Sequence, residues 1–465
     1  MFANLGRRHP RLGLAVGCGI CAALGVAAFW GFTVDDALVT ARVAWRLANG
    51  VGYRFNASGP VVDAVTPLGW VYLLVPFART TPLGAFSAAQ YLGAAAWIIA
   101  ATWLGSALAR EGKKLNLSVL LLLAAPLGAW ASAGMETGVV LGLATAALGD
   151  SWFSLLAIGL VAALRPELVP FCTVLGTRHF FCSDRHRWRS LLHAATATIA
   201  FACTACIRYS VFGSAIPLAA VAKPSDLSHG VRYALSALIF IGPTWMWFGP
   251  GWKKVDGKAK WLASAVVAHF VTLVVIGGDW MPLWRLALPA MPAMFWVANS
   301  LHAVRGIAWR RAGGLVAMSF VVLIGWKVGV PARHVARARR ALVRDASPLL
   351  KGAHLVAGLD VGWLGVATAS DIMDLAGITD PRVASLPGGH TTKRIPNSWF
   401  DFQQPDALVL LTAPGETLAQ MWWQTRFARG VENRTSELDY WRDCAVRGRV
   451  PLRYTQQFYV IVRCK

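Results

Sequence analysis

Long apolar runs separated by short polar corners recur over the first 330 residues. No other feature constrains the fold as much, because a chain repeating such runs has to keep most of them out of water. We read about eleven membrane segments: Leu12 to Trp30, Phe86 to Leu108, Leu117 to Ala131, Gly138 to Gly149, Trp152 to Leu164, Leu168 to Phe181, Leu191 to Ile207, Tyr233 to Phe248, Trp261 to Ile276, Leu286 to Ala303 and Leu315 to Val328. The three between Gly138 and Phe181 fall short of the ~20 residues of a perpendicular crossing. Each of those has to cross or dip while packed against protein instead of lipid. With 56% apolar and 15% charged residues the chain is no ordinary soluble domain. Its 22 Trp suit the headgroup layer, where an apolar ring meets a polar edge.

The net charge of +22 raises the question of nucleic acid, and the positions of the cations answer it. Arg7, Arg8 and Arg11 precede the first run; Arg110, Lys113 and Lys114 follow the second; Arg178, Arg185, Arg187 and Arg189 follow the sixth. Lys253, Lys254, Lys258 and Lys260 follow the eighth, and Arg305, Arg310 and Arg311 the tenth. With eleven crossings all five clusters share one face, which the positive-inside rule makes cytoplasmic. Seventeen of the 27 Lys and Arg before residue 331 are thereby explained as topology, and no basic-aromatic platform remains for nucleic acid. The first run is expected to stay as an anchor, since no small-x-small cleavage site follows Trp30.

Beyond Val328 the apolar stretches shorten to strand length, at His354 to Leu359, Asp406 to Leu411 and Arg453 to Arg463, with Leu386-Pro387-Gly388-Gly389 as a turn. The expected architecture is a polytopic all-α membrane domain, residues 1–330, followed by a small α/β domain, residues 331–465. An odd number of crossings puts that second domain outside, where Cys444 and Cys464, its only thiols, either pair or stay buried and free. The Cys18/Cys21 and Cys203/Cys206 pairs lie in apolar runs, which disfavour thiolates, and read as packing cysteines. Trp422, Trp423 and Trp441 either stack on sugar rings or fill the core of the outer domain.

The acids gather on the outer face: Asp35, Asp36, Asp63, Glu136, Glu167, Asp226 and Asp279 there, against Glu111, Asp150, Asp184 and Asp256 inside. A carboxylate at a helix centre in the bilayer costs at least ~2.5 to 3.5 kcal/mol, so acids near helix ends are paired, hydrated or functional. Asp35-Asp36 directly follows the first run; adjacent side chains diverge on a helix, so one faces a cavity while its neighbour binds backbone or a cation, unless the pair only caps the helix. Arg42, Arg46 and Arg54 in the following loop place cations beside those acids. Further outer corners are Gly134-Met135-Glu136-Thr137, Arg165-Pro166-Glu167 and Gly277-Gly278-Asp279-Trp280-Met281-Pro282 with Arg285. The last two also read simply as a kinked turn with a snorkelling Arg and as a tight helix-capping turn. Arg208 and Lys223, outer cations against the positive-inside bias, point to a lipid or substrate phosphate.

Taken in order, Asp35-Asp36-Ala37, Arg42, Leu47-Ala48-Asn49-Gly50-Val51-Gly52-Tyr53, Phe55-Asn56 and Thr66-Pro67-Leu68 resemble the first outer loop of GT-C-type bacterial membrane glycosyltransferases. The likeness is greatest to the mycobacterial terminal arabinofuranosyltransferases. It continues through Gly134 to Thr137, Arg165 to Glu167, Phe212-Gly213 to Ile216-Pro217, Ala222-Lys223, Gly278 to Pro282, Arg285 and Asp374-Leu375-Ala376-Gly377-Ile378-Thr379-Asp380. Ala64-Val65 departs from the polar residue expected before Thr66-Pro67. The resemblance implies transfer of a sugar, arabinofuranose or another pentose or hexose, from a polyprenyl phosphate to a cell-envelope glycan or lipid outside the cytoplasmic membrane. No nucleotide is needed, in keeping with the lack of phosphate-binding glycine motifs.

Such chemistry requires a base for the acceptor proton and cations for the departing phosphate. The expected base is Asp35, with Asp36 orienting it or binding a divalent cation. Arg165, Arg208, Lys223 and Arg285 are expected at the phosphate, and Glu136 and Asp279 at sugar hydroxyls or as rival bases. Arg42, Glu167 and Trp280 complete the expected substrate surface. All are expected to converge in one pocket beyond the lipid. A transporter or flippase of lipid-linked saccharides should show internal repeats, which the sequence lacks, and a non-catalytic anchor would leave the charged corners without a purpose.

Overall fold

The computed structural model describes residues 10–112, 127–182, 187–240 and 249–464. They form two compact units, one of Met1–Thr33, Ala89–Cys206 and Ser225–Arg333, the other of Val34–Ala88, Ile207–Pro224 and His334–Lys465. The chain is mostly helical and carries one small sheet, near its C-terminus.

Among the described residues five helices are long and apolar enough to cross a membrane: Leu12–Phe29, Pro82–Arg110, Leu191–Phe212, Gly257–Val275 and Ile307–Leu350. This corrects the expected eleven. Four of the expected runs form the helices Thr137–Ala146, Trp152–Leu164, Val169–Cys182 and Met291–Ala303, of 10, 13, 14 and 13 residues. At ~1.5 Å per residue they reach roughly 15–21 Å, against a hydrocarbon core of ~30 Å. Their ends are set by local chemistry: Ser151 caps Trp152–Leu164 through a reciprocal bond with Ser154, and the Pro166–Leu168 turn ends the same run. Residues 113–126, most of the third expected run, and 241–248, the end of the eighth, lie outside the described residues, as do Arg7, Arg8, Lys113, Lys114, Asp184 and Arg185.

Helices of the first unit are apolar on both sides, unlike those of soluble proteins. Along Gly257–Val275, Leu262, Val266, His269, Phe270 and Leu273 are buried while Val267, Val271 and Val275 lie exposed on the other face. Contacts between helices rely on small residues. A Cβ on Gly138 would stand 2.6–2.7 Å from backbone atoms of Gly93, and one on Gly128 2.2 Å from Gly25.

In the second unit the strands β1 (Leu355–Gly358), β2 (Asp371–Asp374), β3 (Ala407–Leu411), β4 (Ala445–Leu452) and β5 (Gln457–Arg463) form a sheet in the order β2-β1-β3-β5-β4. β2, β1 and β3 are parallel, and β5 runs antiparallel to both β3 and β4. β3 is buried throughout, as a central parallel strand needs to be. At the edge, β4 carries exposed Arg447 and Arg449, Pro451 and a bulge between Val446 and Gly448, devices that discourage further pairing. Cys444 and Cys464 are disulfide-bonded and close the open ends of the β4-β5 pair. One face packs on Phe400, Trp422, Phe427 and Trp441. Trp422 and Trp441 therefore fill the core, and Arg442 covers Trp423 at 4.8 Å.

Candidate functional site

In the second unit Asp35 and Asp36 open the helix Asp35–Ala48, and neither side chain caps it. The Asp35 carboxylate reaches across instead to the first turn of the helix Val361–Ala367, where the Gly362 and Trp363 N–H groups donate to it at 2.6 and 3.0 Å. The Arg339 guanidinium stands 3.7 Å away. Burial pushes this carboxyl up to about 6, opposed by Arg339 and the two N–H groups and reinforced by Asp360. Asp36, half-buried, has no ion pair or side-chain hydrogen bond among the described residues. Of the two carboxylates, Asp35 is thus the tethered one and Asp36 the open one.

Behind Asp35 lies a buried charge network for which the sequence gives no local motif. Arg429 donates to both oxygens of Asp360 at 2.9 and 2.8 Å and pairs with Glu432 at 3.2 Å. The Tyr459 hydroxyl donates to Asp360 at 2.5 Å, and the Leu411 N–H to Glu432 at 3.0 Å. Burial alone would raise Asp360, but Arg429, Arg339 and the Tyr459 hydroxyl outweigh it and hold the carboxyl below its ordinary value. Glu432 goes the other way, pushed up to about 7 by burial in spite of Arg429.

Arg42 was expected at an anionic substrate, and the structure uses it otherwise. It is fully buried and donates to the carbonyls of Phe55, Gly365, Thr368 and Ser370 at 2.9, 2.6, 3.0 and 2.7 Å. Those bonds tie the first loop to the segment after Val361–Ala367, leaving no fork for a phosphate. Arg208 pairs with Asp63 at 2.9 Å, both buried, and donates to the Thr66 carbonyl. Lys223, half-buried at the end of the helix Leu218–Ala222, makes no ion pair among the described residues.

The first unit gathers its expected residues into two groups. Arg165 bridges Glu136 and Glu167, the latter at 3.1 Å, and donates to the Thr137 hydroxyl at 3.2 Å. One buried oxygen of Glu136 has no hydrogen-bond partner. In the second group Arg285 donates to Asp279 at 2.9 Å and lies 5.7 Å from the Trp130 ring. Trp280 is exposed and stacks on His229 at 4.0 Å. Leu283 and Trp284, just past this corner, both adopt left-handed backbone, at φ of 59° and 48°. Such conformations cost about 1–3 kcal/mol each and cluster at functional corners. The Trp284 indole N–H donates to Ser236 at 2.7 Å and the Leu286 N–H to the Tyr233 hydroxyl at 3.0 Å, which hold the corner in place.

The ion pairs of this unit fall into separate sets. Lys258 pairs with Glu111 at 2.8 Å and Asp150 at 3.4 Å, and Arg178 also pairs with Asp150, all residues expected on the cytoplasmic face. Glu136, Arg165 and Glu167 form one further set and Asp279 and Arg285 another, all residues expected on the other face.

Of the four cations expected at a phosphate, three therefore have a carboxylate partner, and Lys223 has none among the described residues. No group of three or more His, Cys, Asp or Glu that could hold a metal occurs among the described residues, so Asp36 has no such companions. Sequence reasoning missed Arg339, Asp360, Arg429, Glu432 and Tyr459; Arg339 sits in an Ala/Arg-rich helix that reads only as basic. No family model matches the chain, and neither does any curated protein or solved structure.

Proposed function

We propose that this chain is an integral membrane glycosyltransferase that moves a sugar from a polyprenyl phosphate to a cell-envelope glycan or lipid hydroxyl on the extracytoplasmic side of the cytoplasmic membrane. The observation that carries the reading is the Asp35-Asp36 pair, one carboxylate fixed by two backbone N–H groups and Arg339, its neighbour without an ion pair or side-chain hydrogen bond among the described residues. Asp36 takes the proton of the acceptor hydroxyl as that oxygen bonds to the anomeric carbon. The bond from that carbon to the phosphate oxygen breaks, and the polyprenyl phosphate leaves against the charge of Lys223. Asp35 holds the helix end that presents Asp36. The sorting of charges within the first unit supports a membrane topology, and the Cys444–Cys464 bond supports an oxidising, extracytoplasmic compartment for the sheet.

The test is transfer by purified protein from radiolabelled polyprenyl-phosphate pentose and hexose donors. Asp36→Asn is expected to lower kcat at least 100-fold, and Lys223→Ala to raise the donor KM about tenfold, the scale of one lost charge-assisted contact. Failure of the wild-type chain with every donor, or full activity of Asp36→Asn, removes the proposal.

A further inference from the structure

The second unit contains a cleft of about 560 Å³, lined by both polar and apolar surface, between residues 56–62 and the β1-β2 edge of the sheet. That volume falls within the ~300–1,000 Å³ of small-ligand sites. We infer that this cleft binds a neutral glycan, the acceptor of the transfer, an assignment that rests on the function proposed above.

The cleft is built in advance. The Asn56 side chain donates to the Ile372 carbonyl at 2.8 Å and accepts from the Ile372 N–H at 2.9 Å, taking the place of a missing strand neighbour along β2. Asp371 accepts from the Ala57 and Ser58 N–H groups at 2.7 and 3.1 Å and from the Ser58 hydroxyl. These bonds fix the loop as a wall.

The lining selects the class of ligand. Arg382, its one Arg or Lys, already makes a two-pronged pair with Asp380 at 3.2 and 3.0 Å, and Asp371 adds a negative charge, so a phosphate finds no unused cation. What remains is the His354 ring and the amino group of the Gln403 amide, whose oxygen accepts from Arg382 at 3.1 Å, beside apolar surface from Pro60, Ile372 and Met373. Hydrogen-bonding groups without net positive charge, set beside CH surface, match the hydroxyls and ring faces of an uncharged saccharide. Position fits as well: the Leu218–Ala222 helix, which ends at Lys223, packs on Pro381–Ala384, the helix that carries Pro381 into the cleft. The acceptor cleft and the cation assigned to the donor phosphate thus belong to neighbouring elements.

The experiment uses the full chain in nanodiscs, free of sugar-based detergent, and saturation-transfer difference NMR. Its probes are a linear pentofuranose tetrasaccharide, a hexopyranose tetrasaccharide and a phosphorylated tetrasaccharide. At least one neutral probe is expected to bind more tightly than the phosphorylated one. His354→Trp and Gln403→Trp, each checked for wild-type melting, should weaken it at least tenfold. In the transfer assay the same variants should act on acceptor KM. Preference for the phosphorylated probe, no binding of a neutral one, or variants that move donor KM while acceptor KM stays put would overturn the assignment. Neutral-glycan binding without transfer from any donor leaves the cleft a glycan site and removes the glycosyltransferase reading; transfer unaffected by either variant does the opposite.

Discussion

Gly362 shows how much one hydrogen atom decides. A Cβ built there would stand 2.1 Å from the Asp35 backbone oxygen and 2.7 Å from a carboxylate oxygen, and one at Gly365 2.6 Å from Arg42 Cδ. The two glycines, three apart on one helical face, let Val361–Ala367 come close enough to Asp35–Ala48 for its N–H groups to hold the carboxylate. Gly362→Ala is therefore expected to destabilise the protein by about 1–3 kcal/mol, the usual cost of overpacking, seen as a lowered melting temperature of the purified chain. Gly257→Ala is the matched control, because nothing stands within 4 Å of its Cβ and its φ is not left-handed; its melting should be unchanged or slightly raised. Equal losses at the two positions would mean that contact with Asp35 is not what Gly362 protects.

Among the elements, the loop that borders β2 makes a sharper claim. Asn56 supplies both hydrogen bonds that hold it to Ile372, so Asn56→Ala should speed amide exchange at Ile372 about tenfold, a loss of ~1.4 kcal/mol. Exchange mass spectrometry on peptides covering β2 reads this directly, and unchanged protection there would show that Asp371 alone holds the loop. The element was hard to see in advance. β1, β3 and β5 were legible because their apolar runs are bounded by turns, whereas β2 has four residues with Asp at each end and β4 mixes Arg, Gly and Pro. What makes β4 a strand is its pairing with β5, a long-range fact without a local signature. Membrane helices were overcounted for a related reason: hydropathy marks an apolar run, but Ser151 and Pro166 decide where its helix stops. The charged corners were found correctly as places of paired acids and bases. Whether a given Arg there is open, like none of the three that pair, or consumed by carbonyls, like Arg42, depends on backbone that folding brings from hundreds of residues away.

At the scale of the whole molecule, burial raises several carboxyls of the second unit, among them Asp35 and Asp374 at about 6 and Glu432 at about 7. In the unfolded chain they return toward ordinary values of 3.8 and 4.5. Between pH 4 and 7 the folded state therefore keeps protons that the unfolded state has released, and stability falls as pH rises through that window. Asp374 isolates the effect, since no cation contributes; the Thr379 and Ala376 N–H groups and the Thr379 hydroxyl donate to it at 2.6, 2.8 and 2.9 Å, and they reduce the rise without cancelling it. Its share is roughly 3 kcal/mol at full ionisation, from ~1.4 kcal/mol per pH unit. Asp374→Asn removes that titration while keeping one acceptor oxygen. The wild-type melting temperature, followed by tryptophan fluorescence, is expected to drop from pH 4.5 to 7.5, and the variant's curve to be visibly flatter over the same range. Parallel curves would mean that Asp374 ionises at its ordinary pH in the folded chain and that the buried turn from Asp374 to Thr379 carries no such load.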